Sequence, residues 1–226
     1  MIAVCFEGDG SVQSSTATTA VGKTILSCST TPGGLEKGMQ DYPSSHPAFY
    51  TLFETSIGLC GLAWNERGVV GFQLPEDDAS DTRGRIAKRF PGIFEAPPPP
   101  DVQGIVADVT ALLRGEARDL SAVTLDMEGV SDFDRRVYEI ARCIPPGRVL
   151  TYGEIASRLG IDNARAIGQA LGRNPFAVIV PCHRVVAAGG KLGGFSANGG
   201  ATTKRRLLAI EDARRDESPT LFDLIS

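Results

Sequence analysis

The sequence predicts an α/β protein of the α+β kind, in which strands precede helices along the chain. Short β-prone runs separated by turn residues occupy 49–74, a pattern typical of an antiparallel sheet. From 81 to 211, apolar residues recur mostly at helical spacing. A chain of 226 residues is long enough for one large domain or two small ones.

The two ends of the chain lack these patterns. Residues 1–45 are rich in Ser, Thr and Gly, so we expect a disordered N-terminal extension, and 212–226 predict a flexible tail. Cys5, Cys28 and His46 lie in or next to the extension, but their spacing matches no closed zinc pattern. We expect no metal site, and ligation by these three residues stays an open alternative.

The first half of the chain predicts a β-meander followed by two amphipathic helices. A turn at 65–68 joins the second and third strands, and Pro97 to Pro100 form a stiff connector between the helices. Cys60 falls within a strand and is expected to be core. The strands are predicted at 50–55, 57–64, 69–74 and 123–125, and the helices at 81–90 and 102–113.

The second half predicts several short helices. One opens at Ser131, with Asp134 three residues on as a box-like cap, and ends at Cys143. Two more, at 153–159 and 164–171, are separated by a tight Gly-containing turn, which is a helix-turn-helix signature. An ordinary pair of packed helices is the alternative interpretation.

Charge is distributed unevenly along the chain, although the net charge is only −4. From Ser131 to Glu211 there are twelve Lys and Arg but six Asp and Glu, so this segment carries +6 and the remainder −10. A basic segment on an acidic protein favours a polyanionic partner such as nucleic acid. A solvated charged surface is the alternative.

One cysteine and one of the two histidines stand side by side in an apolar run, at Cys182 and His183. Beside His183 and Arg184 the thiol could be held partly as thiolate, the form that attacks carbon. An inert, packed thiol is the alternative. Neighbouring side chains on an extended segment point apart, so His183 would act on the sulfur through a water molecule.

The last predicted helix, 202–211, ends on an acidic residue. Glu211 at a helix C-terminus opposes the macrodipole, which indicates that another group holds it there, unless it simply faces solvent.

The sequence also bears on location. No apolar run approaches the roughly 20 residues of a membrane helix, and the N-terminus lacks a signal-peptide pattern. Five cysteines without a C-x-x-C pair argue against a disulfide framework. We therefore expect a cytoplasmic protein with no membrane association.

Several motifs, in the same order along the chain, resemble the O6-alkylguanine-DNA alkyltransferases. The resemblance is strong over about 131–211 and weaker over 48–127. The matching motifs are Arg148-Val149-Leu150-Thr151-Tyr152-Gly153, Ala164-Arg165-Ala166-Ile167-Gly168, Arg173-Asn174-Pro175, Pro181-Cys182-His183-Arg184-Val185 and Lys204-Arg205-Arg206-Leu207-Leu208-Ala209-Ile210-Glu211.

The resemblance implies a fold and a division of the chain. It implies a ribonuclease-H-like N-terminal domain over 46–129. A mostly helical, winged helix-turn-helix-like domain over 130–211 would bind DNA and carry the active site.

The resemblance also implies a single-turnover DNA repair reaction. The alkyl group of O6-alkylguanine, and of O4-alkylthymine, would pass irreversibly to Cys182. His183 would be the base acting through a water, Glu211 would orient its imidazole, and Asn174 would brace the turn that presents the thiol. No cofactor is implied, because the DNA supplies the alkyl group, and we expect a monomer acting on double-stranded DNA.

Further residues would bind the DNA by the same resemblance. Arg165 would fill the gap left by the flipped nucleotide, and Tyr152 would push the target phosphate and donate a hydrogen bond to the base. The motifs add Gly153, Pro181 and Val185 as substrate-binding residues. The resemblance also adds Phe195, whose distance from Cys182 is similar to that in the family, and its neighbour Ser196. Backbone groups near Val185 and Ser196 would read the guanine edge.

Two features depart from the family pattern. Phe195 stands where some members carry Tyr, and the loop 196–203 is slightly longer than in some members, which leaves the accepted alkyl sizes open.

Other functions remain possible at this point. A lesion sensor that does not remove the alkyl group is the first alternative, although such proteins carry tryptophan in place of the nucleophile. A cysteine hydrolase is the second, and an alkylation-activated transcription regulator is the third.

Overall fold

A four-stranded sheet forms the first part of the fold. In the computed structural model, which describes residues 46–212, β1 (Phe49–Thr55), β2 (Gly58–Asn65) and β3 (Gly68–Gln73) form the predicted antiparallel meander. β4 (Phe94–Glu95) pairs parallel to β1, so the strand order is β3-β2-β1-β4. The termini predicted to be disordered or flexible lie outside the described residues.

Side chains from opposite faces of β2 enter two different hydrophobic clusters. Leu62 and Trp64 join the main core, whereas Ala63 packs with Ile86 and Phe90 of the following helix region. Because both faces are covered, β2 is apolar almost throughout instead of alternating with polar residues.

Two helices follow the meander close to their predicted positions. α1 (Ala79–Arg89) begins at Asp78, whose side chain accepts the Asp81 N–H, and α2 (Pro100–Leu113) begins with a proline at its first turn. The side chain of Ile86 passes so close to Gly61 that a Cβ there would lie 2.3 Å from Ile86 Cδ1. Glycine in β2 therefore lets α1 approach the sheet.

The strand predicted at 123–125 is wrong in extent, because only a single bridge forms there, between Leu125 and Val69. The Val69 N–H donates to the Thr124 carbonyl at 3.0 Å, and the Asp126 N–H donates to the Val69 carbonyl at 2.8 Å. The buried Asp126 carboxylate then accepts from the Asn65 amide at 2.7 Å.

The third helix, α3 (Asp132–Arg142), begins at Ser131 as predicted, and the Ser131 hydroxyl accepts the Asp134 N–H at 3.1 Å. Asp134 is not used as a capping side chain. Its buried carboxylate instead receives Arg173 through two hydrogen bonds, at 2.9 and 2.7 Å. This ion pair joins the start of α3 to the end of the later helix that carries Arg165.

The remaining elements are short and place the candidate site. Thr151 and Glu154 form a reciprocal capping box at the start of the fourth helix. The elements are β5 (Leu150–Thr151), α4 (Tyr152–Arg158), α5 (Ala164–Gly172), a 3-10 turn (Cys182–Arg184), β6 (Val185–Val186), a second 3-10 turn (Ala188–Gly190) and α6 (Ala201–Ile210).

The main core is continuous between the two halves of the described chain. Phe72 of β3 lies in the same cluster as Val137, Ile167 and Phe176 of the second half. The predicted domain boundary at 129–130 is not tested by this packing and stays a prediction. Within 46–212, every helix is too short or too polar to cross a membrane.

Candidate active site

A cavity of about 700 Å³ lies between α5 and the glycine-rich loop after β6. Its volume is in the range of small-molecule sites. Five of the residues predicted for the site line it together: Tyr152, Arg165, Cys182, Phe195 and Ser196.

The local folding of the second half explains why these residues meet. β5 and β6 pair in parallel, Leu150 with Val185, so Tyr152 at the start of α4 comes beside the segment that holds Cys182. Arg165 is the second residue of α5 and is exposed at the mouth of the cavity. A Cβ at Gly193 would lie 2.9 Å from the Tyr152 ring, so this glycine, with φ +72°, lets the loop close over the tyrosine.

The segment around Cys182 is a 3-10 turn and not the extended chain that the sequence predicted. Pro181 limits the backbone before it, the Cys182 N–H donates to the Val180 carbonyl at 2.8 Å, and the Arg184 N–H donates to the Pro181 carbonyl at 2.9 Å. Cys182 is half-buried and lines the cavity, whereas His183 is 1% exposed. Cys182 therefore faces the cavity, whereas His183 lies in the protein interior.

The surroundings of Cys182 favour its protonated thiol over the partial thiolate that its neighbours suggested. Burial raises its pKa, and a hydrogen bond from the Asn174 side chain and the positive charge of Lys204 offset only part of this effect. Arg184 does not ionise the thiol, because its guanidinium is hydrogen-bonded to Glu211. The thiol must therefore lose its proton during the reaction.

His183, Glu211 and Arg184 form a buried network next to the thiol. Nε2 of His183 lies 3.0 Å from Glu211 Oε1, and Arg184 donates to both oxygens of the same carboxylate, at 2.9 and 2.8 Å. The ionised carboxylate can only accept, so Nε2 carries the imidazole proton and Nδ1 has a free lone pair. Nδ1 is buried without a hydrogen-bond partner among the described residues.

Burial favours the neutral form of His183 in this network. Burial lowers the pKa of His183, and the attraction of Glu211 does not fully compensate. Burial acts to raise the pKa of Glu211, but hydrogen bonds from His183 and Arg184 outweigh it and bring the pKa to about 2. At neutral pH, His183 can therefore accept a proton at Nδ1 while Glu211 stays ionised.

Sequence reasoning missed Lys204, which is completely buried. Its Nζ donates to the Val185 carbonyl at 2.5 Å, lies 3.4 Å from the Tyr152 hydroxyl, and stands 5.6 Å from the centre of the Tyr152 ring. Burial lowers its pKa to about 8. One feature of the sequence indicated this burial: Lys204 precedes the apolar Leu207 by three residues, so the two side chains share one face of α6.

Asn174 braces the turn before Cys182, as predicted from the resemblance. Its amide donates to the Val180 carbonyl at 2.9 Å, and its side-chain oxygen accepts the Phe176 N–H at 2.9 Å. Between them Val178 is buried with φ +69°, a conformation that β-branched residues rarely adopt and that costs on the order of 1–3 kcal/mol. The turn is therefore held in a strained shape.

Three predicted substrate-binding residues do not line this cavity, namely Gly153, Pro181 and Val185. Gly153 lines a neighbouring groove of about 460 Å³ between α4 and α5. The Val185 carbonyl accepts from Lys204, which limits its use in reading a base. His46 pairs with Glu66 at 2.8 Å, Cys5 and Cys28 lie outside the described residues, and 46–212 contain no group of three potential metal ligands.

The chain is similar to known DNA methyltransferases over both halves of the described residues. Residues 132–213 match the family model described as 6-O-methylguanine DNA methyltransferase, DNA binding domain. The methylated-DNA–protein-cysteine methyltransferase of Mycobacterium tuberculosis is 44% identical over 175 residues, which cover 77% of this chain and 98% of that protein. The chain belongs to the methylated-DNA–protein-cysteine methyltransferase family.

More distant relatives and solved structures extend the match. The protein of the same name from Methanothermobacter thermautotrophicus is 33% identical, over 67% of this chain and 78% of its own length. The crystal structure of Mycobacterium tuberculosis OGT in complex with DNA superposes with a TM-score of 0.60 at 34% identity, over 73% of this chain and 92% of that one. The family match therefore includes the first half of the described residues as well as the second.

Proposed function

We propose that this protein repairs alkylated DNA by moving the alkyl group of O6-alkylguanine irreversibly to its own Cys182. The observation that carries the proposal is the position of Cys182 in the wall of a cavity shared with Tyr152 and Arg165. Behind the thiol, His183 and Glu211 form the base and its orienting carboxylate. Family membership supports the same reaction, because the named relatives are methylated-DNA–protein-cysteine methyltransferases.

The thiol is activated during the reaction. A water molecule between Cys182 and Nδ1 of His183 would take the thiol proton and pass one to Nδ1, and Glu211 would stabilise the imidazolium that forms. The sulfur then attacks the alkyl carbon, an S–C bond forms, and the C–O6 bond breaks with its electron pair going to guanine. The guanine anion takes up one proton, which balances the proton that the thiol passed to His183. The S–C bond of the resulting thioether is not readily broken, so the thiol is not regenerated and each protein molecule acts once.

Tyr152 stabilises the departing guanine. Burial raises the pKa of Tyr152, and the nearby Cys182 raises it further, so its hydroxyl stays protonated at neutral pH. A protonated hydroxyl at the cavity wall can donate a hydrogen bond to the base as negative charge develops there. In the free protein this hydroxyl contacts the Gly194 carbonyl at 3.4 Å, a long bond that is readily exchanged for one to substrate.

Binding to double-stranded DNA uses the basic second half. We infer that α4 and α5 act as a winged helix-turn-helix-like unit and that Arg165 fills the base stack after the nucleotide flips. Extrusion costs a few kcal/mol, which a side chain that replaces the lost stacking partly offsets. The exposed position of Arg165 at the cavity mouth supports this role.

The proposed function extends to the domains, the base pocket and the range of substrates. We infer a ribonuclease-H-like domain over 46–129 and a DNA-binding and catalytic domain over 130–211. Phe195 would form the aromatic wall of the base pocket, with Ser196 beside it. We also infer that O4-alkylthymine is a second substrate, that no cofactor is needed, and that the protein works as a cytoplasmic monomer.

The experiment is a titration of the full chain with a duplex that contains O6-methylguanine labelled in its methyl group. One label should become acid-stable on each protein molecule and no more, however long the incubation. Label that stays in tightly bound DNA would indicate a lesion sensor. Release of many labels per protein would contradict the single-turnover mechanism.

A further inference from the structure

The turn that presents Cys182 has a defined internal shape but needs an external anchor. Asn174 holds the shape through its two side-chain hydrogen bonds, and the Val180 N–H adds a third bond to the Phe176 carbonyl at 2.7 Å. These bonds lie within the turn, so they do not determine where it stands relative to α6 and the cavity. The strained Val178 makes such an anchor more necessary, because strained backbone persists only where its surroundings hold it.

The anchor comes from the first half of the chain. The Phe72 N–H of β3 donates to the Pro175 carbonyl at 2.8 Å, and Phe72 forms a parallel bridge with Phe176. The preceding Gly71 permits this approach, because a Cβ there would lie 3.3 Å from the Pro175 carbonyl oxygen and 2.3 Å from the ring of Phe90. The backbone at the edge of the sheet therefore contacts the turn directly, and Phe72 and Phe176 also lie in the same hydrophobic cluster.

A single charged side chain completes the contact. Nη2 of Arg89, the last residue of α1, donates to the backbone carbonyl of Asn174 at 3.0 Å, across 85 residues of sequence. The Arg89 guanidinium also lies 5.8 Å from the centre of the ring of Phe90, the buried residue that follows α1. Its direction is thus restricted by packing, and a guanidinium donor makes a stronger bond than a neutral one.

We propose that Arg89 is a positioning residue for the nucleophile: its guanidinium fixes the Asn174 carbonyl, and thereby the amide of the same residue relative to the Cys182 sulfur. The carbonyl and the side chain of Asn174 share one Cα, so a displaced carbonyl displaces the amide. The Asn174 amide favours ionisation of the thiol. The N-terminal half of the protein therefore contributes to the reactivity of a cysteine that it does not contain.

The test uses the full chain with Arg89→Met, Arg89→Lys and, as a matched control on the same helix, Arg85→Met. Arg85 is exposed and its nearest carboxylate, on Glu76, is 3.7 Å away. The first readout is the pH dependence of Cys182 modification by iodoacetamide without DNA, located by peptide mass. The exposed Cys143 of the same molecule serves as the internal reference.

We expect Arg89→Met to move the midpoint of Cys182 modification upward by about 0.5–1 pH unit, the worth of one hydrogen bond. Cys143 should not change. Arg89→Lys, which keeps a cationic donor, should fall between Arg89→Met and the original protein, and Arg85→Met should match the original. A purely structural role would lower the unfolding midpoint without moving the pH profile of the folded protein.

The second readout rests on the proposed function. Single-turnover methyl transfer should slow by roughly ten- to a hundredfold in Arg89→Met, the size of effect that a small misplacement of a reacting group produces. The Kd for DNA should stay within about twofold, because Arg89 lies outside the DNA-binding helices.

Two outcomes would overturn parts of this account separately. An unchanged pH profile in both Arg89 variants would refute the positioning role, and Arg89→Lys decides the matter should Arg89→Met fail to fold. Absence of methyl transfer by the original protein would instead refute the proposed function, and the iodoacetamide profile would still test Arg89.

Discussion

Replacement of Glu211 by Gln keeps the shape of the side chain but removes the charge at the centre of the buried network. Glu211 accepts three hydrogen bonds, one from His183 and two from Arg184, and its side chain is 4% exposed. A Gln has one acceptor oxygen and one NH₂ group, so at least one donor would face another donor. Arg184, 5% exposed, would keep its charge without a counter-ion.

The expected loss of stability follows from this geometry. Breaking a buried ion pair by removing one partner costs about 3–5 kcal/mol, out of a typical total of about 5–15 kcal/mol. Urea unfolding at pH 7 should show this loss for Glu211→Gln. The control is Glu128→Gln. Glu128 pairs with Arg67, which is 47% exposed, so loss of this ion pair should cost less than about 1 kcal/mol.

The same carboxylate predicts a pH dependence. Its pKa falls from an ordinary 4.5 to about 2 in the folded protein, a difference worth roughly 3 kcal/mol at ~1.36 kcal/mol per pH unit. Because the folded pKa is depressed, the stabilisation is fully present above pH ~4.5 and is lost as the pH falls towards ~2. The difference in stability between the original protein and Glu211→Gln should therefore shrink over that interval. A difference below about 1 kcal/mol at pH 7, or one independent of acid, would refute this reasoning.

Two further predictions concern the reaction. Tyr152→Phe removes a hydroxyl from the cavity wall, which we propose donates to the departing base. Single-turnover transfer should therefore slow by about 10²–10³-fold, with the Kd for DNA little changed; an unaltered rate constant would exclude that role. Arg165→Ala leaves flipping without a replacement for the lost stacking, so transfer from duplex DNA should slow by roughly ten- to a hundredfold. Transfer from the free base O6-benzylguanine should be unaffected by Arg165→Ala, and equal losses on both substrates would contradict a role in flipping.

Local sequence patterns predicted most of the fold. The meander β1–β3 and helices α1 to α6 were readable because turn residues and apolar spacing act over a few positions. The extent of the strand at 123–125 was not readable, because pairing there depends on the distant Val69, with which only Leu125 forms a bridge. The cap of α3 was only partly readable for the same reason. The Asp134 carboxylate binds Arg173, which is 39 residues away in sequence, and does not cap the helix.

The candidate site shows the same division. The resemblance predicted five residues that line one cavity. Tyr152, Arg165 and Cys182 lie within recognisable motifs, and Phe195 with its neighbour Ser196 follows Cys182 at a distance similar to the family's. Lys204 was hidden, because a buried lysine and a solvated one look alike in a basic stretch. The protonation of the Cys182 thiol was not readable either, because it depends on the burial of the sulfur and on the pairing of Arg184 with Glu211.

We propose that Cys182 itself accepts the alkyl group, and this can be measured directly. The direct measurement is peptide mass analysis after incubation with a duplex carrying O6-methylguanine, with Cys182→Ser as the comparison. The peptide that contains Cys182 should gain the mass of one methyl group while the guanine is restored, and Cys182→Ser should bind the duplex without restoring it. A methyl group found on Cys60 or Cys143, or guanine restored with Cys182 unmodified, would contradict the mechanism.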